Sequence, residues 1–86
     1  MWYVYILLCK DDSLYTGIAN HPQKRFLDHQ AGKGGRYTRS HKPVKIVYLE
    51  KMLTKSQALK REQEIKSWKK TEKIKLYMNY IKNNPL

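Results

Sequence analysis

Five polar side chains occupy places where packing alone would favour something else: Tyr5 in Tyr3-Val4-Tyr5, Tyr15 in Tyr15-Thr16-Gly17, then Arg25, His29 and Glu62. That mismatch is the functional clue. A carboxylate such as Glu62 is costly to bury unless it is paired or binds a metal, and Arg25 and His29, four apart on one helix edge, can look along the rim of the core. Each has a plainer alternative. A phenol can be a core aromatic with its hydroxyl at the surface, Arg25 can cap a sheet with its aliphatic stem, and Glu62 can pair with Arg25 inside the fold.

The elements that must position these groups can be read from the patterning. Trp2 to Cys9 is apolar without alternation, as expected of a central strand covered on both faces. Lys10-Asp11-Asp12-Ser13 supplies turn chemistry, and a second strand, about Leu14 to Ala19, returns as a hairpin that sets the two tyrosine motifs side by side. Asn20 as N-cap and Pro22 in the first turn predict a helix to about Ala31, stopped by Gly32, with Phe26, Leu27 and Ala31 inward and Arg25 and His29 on an adjoining edge. Residues 32 to 42 read as a flexible basic connection. Pro43 opens a third strand, Val44 to about Met52, in which Val44, Ile46 and Tyr48 alternate with Lys45, Val47 and Leu49. Thr54 and Gln57 make a capping box for a helix to about Trp68, whose stripe of Ala58, Leu59 and Ile65 has Glu62 at its centre, while Glu64 faces water. A last helix is expected from Thr71 as cap, packed through Ile74, Tyr77, Met78 and Ile81, with a frayed end at Asn83 to Leu86. A helix between the second and third strands makes those two parallel, on either side of the first. The expected class is α+β: a small three-stranded antiparallel sheet, order 2-1-3, flanked by three helices in the sequence ββαβαα, forming one domain over residues 1–86.

The 86 residues carry a net charge of +11, distributed unevenly. Residues 1–31 balance three basic groups against three acids, whereas the rest holds fifteen against four. A polyanion is the natural partner, DNA first and RNA as the alternative. Lys33, Arg36, Arg39 and Lys42 would hold a phosphate backbone with Thr38 among them, and Tyr37 would stack on an unpaired base. With one cysteine, Cys9, no internal disulfide and no cysteine-rich zinc site can form. His21, His29 and His41 make no helical ligand pair, and no serine triad is readable. The run from Trp2 to Cys9 lacks the flanks of a signal peptide and is too short to span a bilayer, so a soluble, cytoplasmic protein without membrane contact is expected.

Taken together, Tyr3-Val4-Tyr5, Tyr15-Thr16-Gly17, Arg25 with His29, the segment ending Arg36-Tyr37-Thr38-Arg39, and Ala58-Leu59-Lys60-Arg61-Glu62 resemble the GIY-YIG nuclease domain, in particular its small stand-alone bacterial members and the catalytic domain of a junction-cutting endonuclease subunit. The resemblance implies phosphodiester hydrolysis supported by one divalent metal, Mg²⁺ or Mn²⁺. It implies Glu62 as metal ligand, Arg25 on the scissile phosphate, Tyr5 and Tyr15 handling the attacking water with His29 as proton relay, and Gly17 allowing close backbone approach. The division of labour between the two phenols stays open. Three further alternatives also stay open: a nucleic-acid-binding module without turnover, a basic ribosome-associated protein, and an accessory protein that supplies specificity. Tyr3 stands where the motif name has glycine, and Val4 and Thr16 where it has isoleucine; these are packing positions.

Overall fold

The computed structural model describes residues 1–84. Its elements are β1 (Trp2–Cys9), β2 (Leu14–Ala19), α1 (Pro22–Gln30), α2 (Arg36–Ser40), β3 (Pro43–Met52), α3 (Lys55–Lys66) and α4 (Lys70–Asn83). The strands form one sheet of order β2-β1-β3, with β1 antiparallel to both neighbours. That is the expected topology, with α2 added to give ββααβαα.

β1 is apolar throughout because both its faces are covered. Val4 and Ile6 pack with Val47, Tyr48, Ala58 and Ile65, joined by Leu76, Tyr77 and Tyr80 of α4. Tyr5 and Leu7 pack on the other face with Tyr15, Ala19, Phe26, Ile46 and Leu49. The helices therefore flank the sheet with α3 and α4 on one face and α1 on the other. The β1–β2 turn uses the chemistry expected of it: Asp11 accepts hydrogen bonds from the Ser13 amide at 3.1 Å and hydroxyl at 2.6 Å, and Asp12 takes the left-handed conformation at φ 67°.

Several local expectations are corrected. The simple alternation in β3 fails because Ile6 pairs with Tyr48 while Leu7 pairs with Ile46, leaving Val47 as the extra residue of a bulge. The bulge lets Val47 and Tyr48 share one face while Ile46 and Leu49 share the other. Residues 36–40 form α2 rather than part of a flexible loop. The α1 N-cap is His21, without a side-chain bond, and not Asn20. Leu27 and Leu59, assigned inward, are 62% and 42% exposed. On α3 the buried stripe is Ala58, Glu62 and Ile65, the i, i+4, i+7 set. Thr54 does cap α3, accepting from the Gln57 amide at 3.1 Å. The cap of α4 is Lys69, whose amide donates to Glu72, and not Thr71. Leu76 and Tyr80 face inward beside Tyr77 in place of Met78 and Ile81, both exposed. Asn83 ends α4, and the expected frayed end lies partly outside the described residues.

One polar cluster fixes how α3 sits. Tyr48 donates to Glu50, Arg61 Nε donates to the same carboxylate at 3.0 Å, and Arg61 also pairs with Glu64 and lies over Trp68. Arg61 thus ties α3 to β3 through its own side, and the next residue, Glu62, is turned toward the sheet.

Candidate active site

The hairpin register sets Tyr5 opposite Gly17 and Leu7 opposite Tyr15. Both phenols therefore lie on the face that α1 covers, with ring centroids 6.3 Å apart. Gly17 is required by this approach: a Cβ there would stand 2.6 Å from the Tyr5 hydroxyl oxygen.

α1 delivers Arg25 and His29, four residues apart on one edge. His29 is fully buried, and its ring bridges two partners: Nε2 lies 2.9 Å from the Tyr5 hydroxyl and Nδ1 lies 2.7 Å from Thr38 Oγ1. Thr38 in turn reaches the Gly35 carbonyl at 3.5 Å. Counting donors assigns the direction. If Thr38 gives its proton to Gly35, Nδ1–H donates to Thr38 and Nε2 is left as acceptor for the Tyr5 O–H, so each buried donor is used once. Gly34 lies flat against the imidazole, where a side chain would overlap the ring. The edge of His29 also meets Tyr15, with centroids 5.0 Å apart.

Arg25 donates from Nη2 to the Gly34 carbonyl at 3.1 Å and keeps Nη1 4.0 Å from Asp28. It makes no ion pair with Glu62. Glu62 is buried, with Oε2 3.4 Å from Lys66 Nζ. Burial drives the Tyr5 hydroxyl far above the ordinary phenol range; Tyr15 and Glu62 push it further the same way, and Arg25 pulls it back. Tyr15, Arg25 and Glu62 therefore each lie within electrostatic reach of Tyr5, Glu62 most weakly and from a helix packed on the opposite face of the sheet. Burial, then the Arg25 charge, hold His29 below its usual 6.5, against the pull of Asp28.

This last shift has a measurable consequence. Below pH about 6.5 the unfolded chain takes up a proton that buried His29 refuses, so the unfolded state binds more protons and stability falls as the pH falls. Urea unfolding midpoints should be flat above pH about 7.5 and decline through 6.5, and His29→Gln should flatten that decline. An identical slope in the variant would mean that the ring is not held neutral.

The basic segment divides. Lys33, Arg36, Arg39 and Lys42 are exposed, whereas Thr38 is buried beneath them and bonded to His29. Tyr37 stacks with Tyr15 at 5.8 Å and with His41 at 4.1 Å, so a base reaching it must extend or displace that stack. Two residues of the site escaped the sequence reading. Gly34 gives no signal, being one glycine among three in a basic loop; Lys66 was readable as the i+4 partner of Glu62.

Among the described residues no three His, Cys, Asp or Glu side chains converge on a metal position. Glu62 as sole carboxylate still fits Mg²⁺ or Mn²⁺, which retain waters and bind through few protein oxygens plus substrate phosphates. Lys66 would then have to yield. Among the same residues no helix is long and apolar enough to cross a membrane.

The candidate groups thus come from paired strands (Tyr5, Tyr15), from α1 (Arg25, His29) and from α3 (Glu62). The chain matches the GIY-YIG catalytic domain over residues 1–75 and belongs to that family. More narrowly it is similar to UPF0213 proteins. It is 51% identical over 74 residues to one from Staphylococcus saprophyticus, covering 86% of this chain and 90% of the relative. It is 48% identical over 84 residues to one from Syntrophus aciditrophicus, covering 96% and 92%. The solution NMR structure of a UPF0213 protein from Bacillus halodurans superposes with a TM-score of 0.58 at 37% identity, covering 99% of this chain and 89% of that one.

Proposed function

We propose that this chain, acting as one domain, is a divalent-metal-dependent endonuclease that hydrolyses phosphodiester bonds in DNA with little sequence selectivity. The observation that carries the proposal is the buried Tyr5 hydroxyl, 2.9 Å from the Nε2 of a buried imidazole and beside Tyr15, with Arg25 on the same helix edge as that imidazole. No packing requirement explains that combination.

A free phenolate at Tyr5 is disfavoured by its burial. The His29 contact removes the need for one. As the attacking water gives a proton to the Tyr5 oxygen, Tyr5 passes its own proton to His29 Nε2, and the phenol stays neutral throughout. The water oxygen bonds to phosphorus, the bond to the leaving oxygen breaks, and that oxygen takes a proton from solvent. Arg25 holds the non-bridging oxygens and offsets their charge. Tyr15, edge-on to His29, orients the water. A divalent cation at Glu62 would supply Lewis-acid charge to the same phosphate. Lys33, Arg36, Arg39 and Lys42 hold the strand. The likeness to a junction-cutting catalytic domain makes branched and single-stranded DNA the first substrates to try.

A second reading, binding without turnover, draws on the Lys66 ammonium that already neutralises Glu62. Labelled flap, fork and single-stranded DNA, incubated with pure protein and Mn²⁺ or Mg²⁺, separate the two. Nicking by the wild type, lowered about 10²-fold or more in Tyr5→Phe with unchanged DNA binding, supports hydrolysis. Wild-type protein that binds all three and nicks none supports the second reading.

A further inference from the structure

His29 has a second side that the proposed chemistry leaves unused. Its Nε2 edge meets Tyr5, and beyond its Nδ1 edge lies a cavity of about 180 Å³ lined by His29, Gln30, Ala31, Gly32, Thr38, Arg39 and Lys42. Two of those residues, His29 and Thr38, are buried polar groups. The lining contains no carboxylate, whereas it holds two permanent cations. Arg39 is engaged only through a long 3.4 Å contact from Nε to the Gly32 carbonyl, leaving its terminal nitrogens for a ligand. Gln30 makes a similar 3.4 Å contact to the Pro43 carbonyl and has a second amide hydrogen to give. The volume takes a phosphate group with a water or two, each water claiming about 30 Å³.

We infer that this cavity is a phosphate subsite, distinct from the position at Tyr5 and Arg25, in which Arg39, Lys42 and Gln30 bind phosphate oxygens beside the Thr38 edge of His29. Its place gives it a role. In proton-relay sites built on histidine, an anion beside the distal nitrogen stabilises the imidazolium that forms. Here the distal partner is a neutral hydroxyl, and no acid lines the cavity. The charged and titratable groups facing His29 are Tyr5 from β1, Tyr15 from β2, Arg25 and Asp28 from α1, Arg39 from α2, and Lys42. Only Asp28 of these is an acid, and it is shared with Arg25. A bound phosphate would supply the missing negative charge, so that occupancy of one phosphate position favours proton transfer at the other. This role rests on the proposed hydrolytic reading; the binding site itself does not.

NMR of the full chain, with labelled histidine and backbone, tests it. Inorganic phosphate and, separately, a short oligothymidylate without terminal phosphates are titrated at constant ionic strength. Saturable shifts centred on His29, Thr38 and Arg39, with the His29 titration midpoint moving upward, are expected from at least one ligand. Oligothymidylate acting alone or with phosphate identifies a strand phosphate as the occupant; inorganic phosphate acting alone identifies the free anion. Either supports the subsite. Arg39→Ala and Lys42→Ala, both at exposed positions, should each weaken binding about tenfold, in line with loss of one charge-assisted hydrogen bond. No saturable shift from either ligand, or shifts that persist unchanged in the double variant, would overturn the inference. Because the readout needs no turnover, a chain that nicks nothing can still pass, and an active nuclease can still fail.

Discussion

Glu62→Gln should nick DNA about 10³-fold more slowly than wild type while binding it as well or slightly better. The amide keeps the shape of the side chain and removes only its charge, so packing beside Ala58 and Ile65 is preserved. Loss of the ion pair is a small matter for stability. Lys66 is 44% exposed on its side chain and can turn to water, and such i, i+4 pairs contribute well under about 1 kcal/mol. The melting temperature should therefore stay within a few degrees of wild type. Tighter DNA binding would follow from removing one negative charge from a strongly cationic chain. Should Glu62→Gln retain activity within tenfold of wild type in Mg²⁺ and in Mn²⁺, the carboxylate is not the metal's anchor and hydrolysis must be sought elsewhere.

The second large effect is expected from one methyl group. Gly34→Ala places a Cβ inside the space of the His29 ring. The ring cannot swing away without leaving both the Tyr5 and the Thr38 hydrogen bonds, and Tyr15 stands at its edge. Either the backbone carrying the Arg25 contact moves outward or the imidazole is expelled. Overpacking and broken buried hydrogen bonds each amount to roughly 1–3 kcal/mol, giving about 2–6 kcal/mol in total. For a domain of this size that lowers the melting temperature by roughly 10–50 °C. Calorimetry measures it directly. On the proposed mechanism activity should fall with it, even at temperatures where the variant is folded, because the acceptor for the Tyr5 proton has been displaced. A variant as stable and as active as wild type would show that the glycine does not confine the ring.

The sequence revealed those parts of the site whose residue types conflict with their surroundings. Tyr5 and Tyr15 were placed on neighbouring strands because an Asp- and Ser-rich turn between two apolar runs admits only a hairpin. Glu62 stood out as a carboxylate in an apolar helical stripe. What stayed hidden depended on contacts distant in the chain. Residues 36–40 carry weak helical preference alone and are organised around Thr38, whose anchor is a histidine nine residues earlier. The bulge at Val47 follows from the need to serve two cores on opposite faces of the sheet, which no period of two can express. The start of α4 turned on a lysine backbone amide meeting Glu72, where side-chain preference pointed to Thr71. In each case an interaction between distant or backbone groups overrode a local signal.

The proposed reactive groups are drawn from β1, β2, α1 and α3, spanning Tyr5 to Glu62, with the last of them held in place by Arg61 through its bond to Glu50 of β3. The acid is the last of these groups in the chain, and it is aimed only once β3 has joined the sheet and Glu50 can hold Arg61. On the proposed reading, a half-made or proteolysed chain would thus be cationic yet lack the metal ligand. On the proposed mechanism, hydrolysis is thereby confined to a chain completed through α3.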